Sequence, residues 1–173
     1  GIQGMELGRT LPDQRRAEEA NYHYWNSKER TQSVFHGEDY AVRWPDGGFY
    51  LESMDAHGGW IANVLDLSRF VVALEGLGDT PAILSESSQK LMLERPLLKH
   101  HDKIDAWYGL GCRVRQTEDG WGWWHSGYLH GSLSLMARGA NGYTWCALLN
   151  SSTEKPRITL DALDALLEQC SRL

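Results

Sequence analysis

The stretch Trp124-His125-Ser126-Gly127-Tyr128-Leu129-His130-Gly131 puts a titratable ring, a hydroxyl and two residues without side chains close together. Imidazole changes charge near neutral pH, and a hydroxyl both donates and accepts, so His125 and Ser126 could hold or move a proton beside an acyl group. Gly127 would let a substrate come close to the main chain. A structural reading stands beside this one: Gly127 and Gly131 mark a bulge, and His125 is a satisfied polar side chain. Residue types alone favour the structural reading.

The other reactive side chains are less organised. His23, His36, His57, His100 and His101 lack paired spacing of the HExxH kind, so no metal site is expected, and no cofactor is called for. Cys112, Cys146 and Cys170 lack CxxC spacing and are expected to be buried thiols. The net charge of -6, with no basic stripe, argues against a nucleic-acid partner. No apolar run reaches the roughly 18 residues of a membrane span. Gly1 to Gly8 do not form a signal peptide, so the compartment is left open.

The elements that must position these residues can be read from periodicity. With 173 residues, 42% of them apolar, one domain with a real core is expected. Residues 9–58 mix charged, aromatic and glycine residues without period and read as loops with short elements. Asn63 and Asp66 have capping-box spacing ahead of an apolar face of Val64, Leu67, Val71 and Leu74, and Gly76 and Gly78 end that helix. A shorter helix is expected over Ser85 to Glu94, with Leu91 and Met92 as its apolar contacts. After the polar patch Lys99 to Asp105, strands are expected at 107–114, 121–125, 132–137 and 143–149. Asn141-Gly142 predicts a tight hairpin turn. Pro156 precedes Thr159, a plausible cap, and Leu160, Leu163, Leu167 and Cys170, widened by Leu166 and Leu173, form a terminal helical stripe. The fold class is thus α+β, an antiparallel sheet packed with helices: 1–100 loop-rich and helical, 101–173 strands and a C-terminal helix.

His125-Ser126-Gly127, with Gly131 four residues later, resembles the third signature of penicillin-binding proteins and class C beta-lactamases, K-T-G or H-[ST]-G. Further segments resemble the same family in the same order. They are Tyr50 to Trp60, Asp66-Leu67-Ser68-Arg69-Phe70, Tyr108-Gly109-Leu110-Gly111, Trp123-Trp124 and Leu148-Leu149-Asn150. Gly1-Ile2 is similar to the end of a stretch found midway through family members, so 1–173 is expected to be the C-terminal portion of one incomplete beta-lactamase/transpeptidase-like domain. The resemblance implies acylation of an S-x-x-K serine by an amide or ester and transfer to water. It gives His125 a role in orienting protons or attracting a carboxylate, Ser126 and Gly127 a role in substrate binding, and Asn150 an assisting one. The backbone N–H of Tyr128 becomes an oxyanion donor.

Two other signatures have literal matches, Ser87-Ser88-Gln89-Lys90 for S-x-x-K and Tyr24-Trp25-Asn26 for Y-x-N. They stand in the wrong order, and helical spacing makes Ser87 and Lys90 a solvated face. The expectation is a serine hydrolase of beta-lactamase, D-alanyl carboxypeptidase or esterase type that lacks its nucleophile in this chain. Its partner would be a small acyl substrate, and exposed apolar surface could make it a homo-oligomer. The alternative is a non-catalytic binding or interaction module derived from the family.

Overall fold

In a computed structural model, which describes residues 1–35, 40–97 and 106–171, the second half of the chain builds one antiparallel meander. Its strands are β1 (Ala106–Tyr108), β2 (Arg113–Thr117), β3 (Gly120–Leu129), β4 (Ser132–Arg138) and β5 (Thr144–Leu149). Strands adjacent in sequence are adjacent in the five-stranded sheet. Three helices cover it: α1 (Val64–Glu75), α2 (Glu86–Leu93) and α3 (Pro156–Cys170).

Alternation along the strands divides the core into two layers. Leu133, Leu135 and Ala137 of β4 and Trp145 of β5 face α3 and bury Leu160. On the other face Trp107, Val114 and Trp123 pack with Val71 and Leu74 of α1, with Met92 and Leu93 of α2 alongside. Each fully buried Leu or Val among them contributes roughly 1.5–3 kcal/mol by leaving water. Both layers are pinned by polar bonds. Trp123 Nε1 donates to Glu75 Oε1 (2.6 Å), and Glu75 Oε2 accepts from Arg138 (3.0 Å). Trp145 Nε1 donates to Asp164 (2.9 Å), which also pairs with Arg115 (2.9 Å).

The first half is held by two-residue strand pairs: Glu6–Leu7 with Trp60–Ile61, Thr31–Gln32 with Ala41–Val42, and His23–Tyr24 in parallel with Ser151–Ser152. Asp66 ties the chain start to α1. Its carboxylate accepts from Arg69 (2.8 Å), from the Gly4 N–H (2.7 Å) and from Asn63 Nδ2 (3.0 Å). Led by the Arg69 bond, these hold its pKa down to about 2.

Several local expectations change. The strand expected over 107–114 is a hairpin, because Gly109 and Gly111 (φ +80°) turn the chain between β1 and β2. The Asn141-Gly142 turn is not the tight two-residue kind: the loop runs from Gly139 to Tyr143, and only Gly142 has positive φ (+92°). α3 begins at Pro156, where a missing N–H costs nothing; Thr159 lies inside it, bonded to Thr153. Val64 and Leu91 are exposed, so the packed faces of α1 and α2 rest on the expected Val71, Leu74 and Met92, joined by Leu93. Cys112 is buried and burial pushes its thiol up to about 11, but Cys170 is exposed. His36, Leu173 and the whole Lys99 to Asp105 patch, with His100 and His101, lie outside the described residues.

Candidate active site

β3 is ten residues long, and its two halves have different neighbours. Gly120 to Trp124 pairs with β2 on one side. From Trp123 to Leu129 it pairs with β4 on the other. Beyond Trp124 no strand pairs with the β2-side edge among the described residues, so His125 to Leu129 presents a free edge.

The phase of that edge follows from the turns. Antiparallel pairs alternate between bonded and non-bonded residues, and each residue sends its N–H and C=O to the same side. The Gly109 N–H donates to the Cys112 carbonyl (2.8 Å) and the Gly139 N–H to the Tyr143 carbonyl (2.8 Å). Counting inward through the registers, Val114 bonds to β1 and Ala137 to β5. Arg113 therefore bonds to Trp124, while His125, Gly127 and Leu129 bond to β4. Ser126 and Tyr128 turn their N–H and C=O groups to the free edge. The Tyr128 N–H, the donor implied by the resemblance, is on the side a substrate can reach.

The side chains flank this edge on both faces. His125 is on the α1 side, where its Nε2 lies 3.1 Å from the Tyr108 hydroxyl. Burial lowers its pKa below the ordinary value of 6.5, and the Arg113 charge pushes the same way. The imidazole is thus neutral at pH 7, able to relay a proton but not to attract an anion by charge. Ser126 is exposed, on the α3 side.

The two glycines do different work. A Cβ at Gly127 would press on the Ser134 hydroxyl, which can rotate away, so packing does not demand glycine there. At Gly131 the backbone is left-handed (φ +102°), and a Cβ would lie 2.8 Å from Pro45 Cγ and 2.9 Å from Tyr22 Cβ. The Gly131 N–H donates to the buried Ser152 Oγ (2.8 Å). Gly131 thus fastens the β3–β4 turn to the first half of the chain.

Asn150 does not converge on the edge. It follows β5, two strands from β3, and its side chain donates to the Asn21 carbonyl (2.9 Å) while its own carbonyl accepts from the His23 N–H (2.9 Å). Its visible task is to hold the segment that carries Tyr24. Ser87 and Lys90 are exposed on α2, with Ser87 Oγ 2.9 Å from Ser85 Oγ. Tyr24 and Asn26 form no pair with them.

Sequence reasoning missed an aromatic cluster at the end of the edge. His130 stacks on Trp44 (4.3 Å between centroids, 15° between planes), with Tyr24 at 4.8 Å and Tyr128 at 5.5 Å. Trp25 lies 5.7 Å from Tyr24. These rings come from three separate stretches, so no local spacing announces them. Burial raises the Tyr24 and Tyr128 pKa values, which keeps both phenols as donors.

This layering is that of a partial beta-lactamase/transpeptidase-like fold. The chain belongs to the beta-lactamase family, whose family model (Beta-lactamase) matches residues 6–169. Among solved structures it is similar to the D-amino acid amidase from Ochrobactrum anthropi SV3, solved in complex with L-phenylalanine amide. That match has a TM-score of 0.62 at 18% identity and covers 99% of this chain and 48% of the other. It is also similar to a D-stereospecific amidohydrolase from Streptomyces sp., with a TM-score of 0.53 at 19% identity, covering 87% of this chain and 40% of the other. At these identities the likeness is one of fold, and the chain spans about half or less of each relative's length. No curated protein matches the chain.

Proposed function

We propose that this chain supplies the substrate wall and oxyanion donor of a serine hydrolase acting on an amide, ester or beta-lactam, with the S-x-x-K nucleophile contributed from outside these residues. The observation that carries the reading is the free edge of β3 at His125-Ser126-Gly127-Tyr128. An acyl group lying along it would receive a hydrogen bond from the Tyr128 N–H as its oxygen becomes negative. Ser126 would hydrogen-bond the substrate, and neutral His125 would orient a proton between substrate and Tyr108. Both structural relatives are amidohydrolases by name, which supports an amide as the first substrate to try.

A specific observation favours the non-catalytic reading for the chain by itself. Ser87 and Lys90 lie exposed on α2 and Tyr24 packs against His130, so the literal matches to S-x-x-K and Y-x-N do not come together in one site. Intact mass after incubation with a fluorophosphonate and, separately, with a slowly released penicillin is expected to show no adduct on this chain alone. Co-expression with a family N-terminal half carrying S-x-x-K is expected to produce an adduct on that half. A stable adduct at Ser87 would overturn the assignment of the nucleophile. Absence of any adduct in the reconstituted pair would leave the binding module as the function.

A further inference from the structure

A cavity of about 80 Å³ lies between the first half of the chain and the β3–β4 turn. Its apolar wall is Phe49, Leu51, Trp60 and Ile61 from the first half and Leu129 from the end of β3. Arg9, Gly58 and Trp60, also on its lining, are exposed and form its mouth. An apolar cavity of about 150 Å³ takes a benzene ring, so this one has room for roughly three or four carbon atoms.

The polar groups on the same cavity divide into those already bonded and those that are not. Thr10 Oγ1 donates to Glu52 Oε2 (2.8 Å) and accepts from the Leu51 N–H (2.8 Å), and the Thr10 carbonyl accepts from Arg15 (2.6 Å). Arg15 also pairs with Asp46 (3.1 Å), and the Tyr22 hydroxyl donates to Glu19 (2.6 Å). By contrast, neither the Arg9 guanidinium nor the Ser132 hydroxyl has a hydrogen-bond or ion-pair partner among the described residues. The Glu52 carboxyl feels the Arg9 charge: burial pushes its pKa up, but hydrogen bonds and that charge bring it below the ordinary value. Both Glu52 oxygens are nonetheless bonded to Thr10 (3.1 and 2.8 Å) and leave the guanidinium available. Burial keeps His130 neutral, so Arg9 is the open positive charge on this lining.

A guanidinium offers five N–H donors in a fork that matches a carboxylate with two parallel bonds. The wall behind it rewards the burial of carbon. A strongly hydrated inorganic anion would gain nothing from that wall, and a neutral amide would forgo the charge-assisted bond.

We propose that this cavity binds a small carboxylate with a short aliphatic tail, its charge on Arg9 and its tail against Leu51, Ile61 and Leu129. The site makes no use of the β3 edge, so it stands or falls apart from the hydrolase reading. Its occupant would touch both the first half of the chain and the end of β3, and would therefore brace the two against each other.

The test is an NMR titration of the chain with butyrate, butyramide and chloride at fixed pH and ionic strength, following the Trp60 indole N–H and the Leu129 and Ser132 amides. Butyrate is expected to move all three signals, with an affinity at least about tenfold above that of butyramide. It should also raise the urea midpoint, as a ligand of the folded state does. Arg9→Gln, at an exposed side chain, is expected to remove the preference while leaving the dispersed spectrum intact. The comparison of compounds on the unaltered chain stands whatever the variant does. Equal binding of butyrate and butyramide would overturn the role of Arg9. The same shifts with chloride would reduce the site to a surface charge, and no shift with butyrate would overturn the proposal outright.

Discussion

The two halves of β3 share one strand and differ in almost everything else. Gly120 to Trp124 is paired with β2 and, at Trp123 and Trp124, with β4 as well, and Trp123 is 2% exposed with its indole bonded to Glu75. His125 to Leu129 has one paired edge, with Ser126 and Tyr128 exposed on one face and His125, Gly127 and Leu129 half-buried on the other. A tightly packed half fixes the strand, and the half beyond it can leave backbone donors unpaired at a defined position. Preorganised donors of this kind are what a developing oxyanion requires.

The packed half is the place to break this arrangement most severely. Trp123→Ala is expected to cost about 3–5 kcal/mol, read as a fall in the urea midpoint, because it empties the α1 side of the sheet and strips Glu75 of a partner. Gly131→Ala should cost about 1–3 kcal/mol by the same measurement. It forces a Cβ into positive φ and against Pro45 and Tyr22. Gly127→Ala, four residues earlier, is expected to cost under about 1 kcal/mol, since only the Ser134 hydroxyl must turn. Equal costs at the two glycines would refute the distinction between a glycine kept for packing and one kept for access.

A smaller effect separates the halves by pH. His125 in the folded chain resists protonation, whereas the unfolded chain takes up the proton as pH falls through about 6.5. The unfolded state then binds more protons, so this contribution is fully present above that pH and is lost as pH falls below it. The urea midpoint should decline more steeply between pH 7.5 and 5.5 for the unaltered chain than for His125→Gln. Parallel curves would place the ring in an environment no different from water. Smallest of all, Ser87→Ala should leave stability within about 0.5 kcal/mol, as expected for an exposed position.

How much of this was legible in the sequence depended on distance along the chain. The Asn63 cap, the Gly76 stop and the alternation of Leu133 and Leu135 are local signals, and they gave α1 and β4 nearly to the residue. The H-S-G triplet was legible only through resemblance, because nothing local says that β2 stops pairing at Trp124. That fact lies in the Gly109 to Cys112 turn, which shortens β1 and sets where β2 begins. The resemblance gave Asn150 an assisting role at the site. Its partner, Asn21, is 129 positions away in the sequence and could not be read from spacing. The cluster of Tyr24, Trp44, Tyr128 and His130 was hidden for the same reason.

Amide hydrogen exchange along β3, read residue by residue by NMR, tests the central claim most directly. The account predicts slow exchange at Trp123, Trp124, His125, Gly127 and Leu129, and exchange faster by orders of magnitude at Ser126 and Tyr128. Protection at Tyr128 equal to that of its neighbours, or the opposite alternation, would mean that the edge is covered or its phase reversed, and the oxyanion assignment would fall with it.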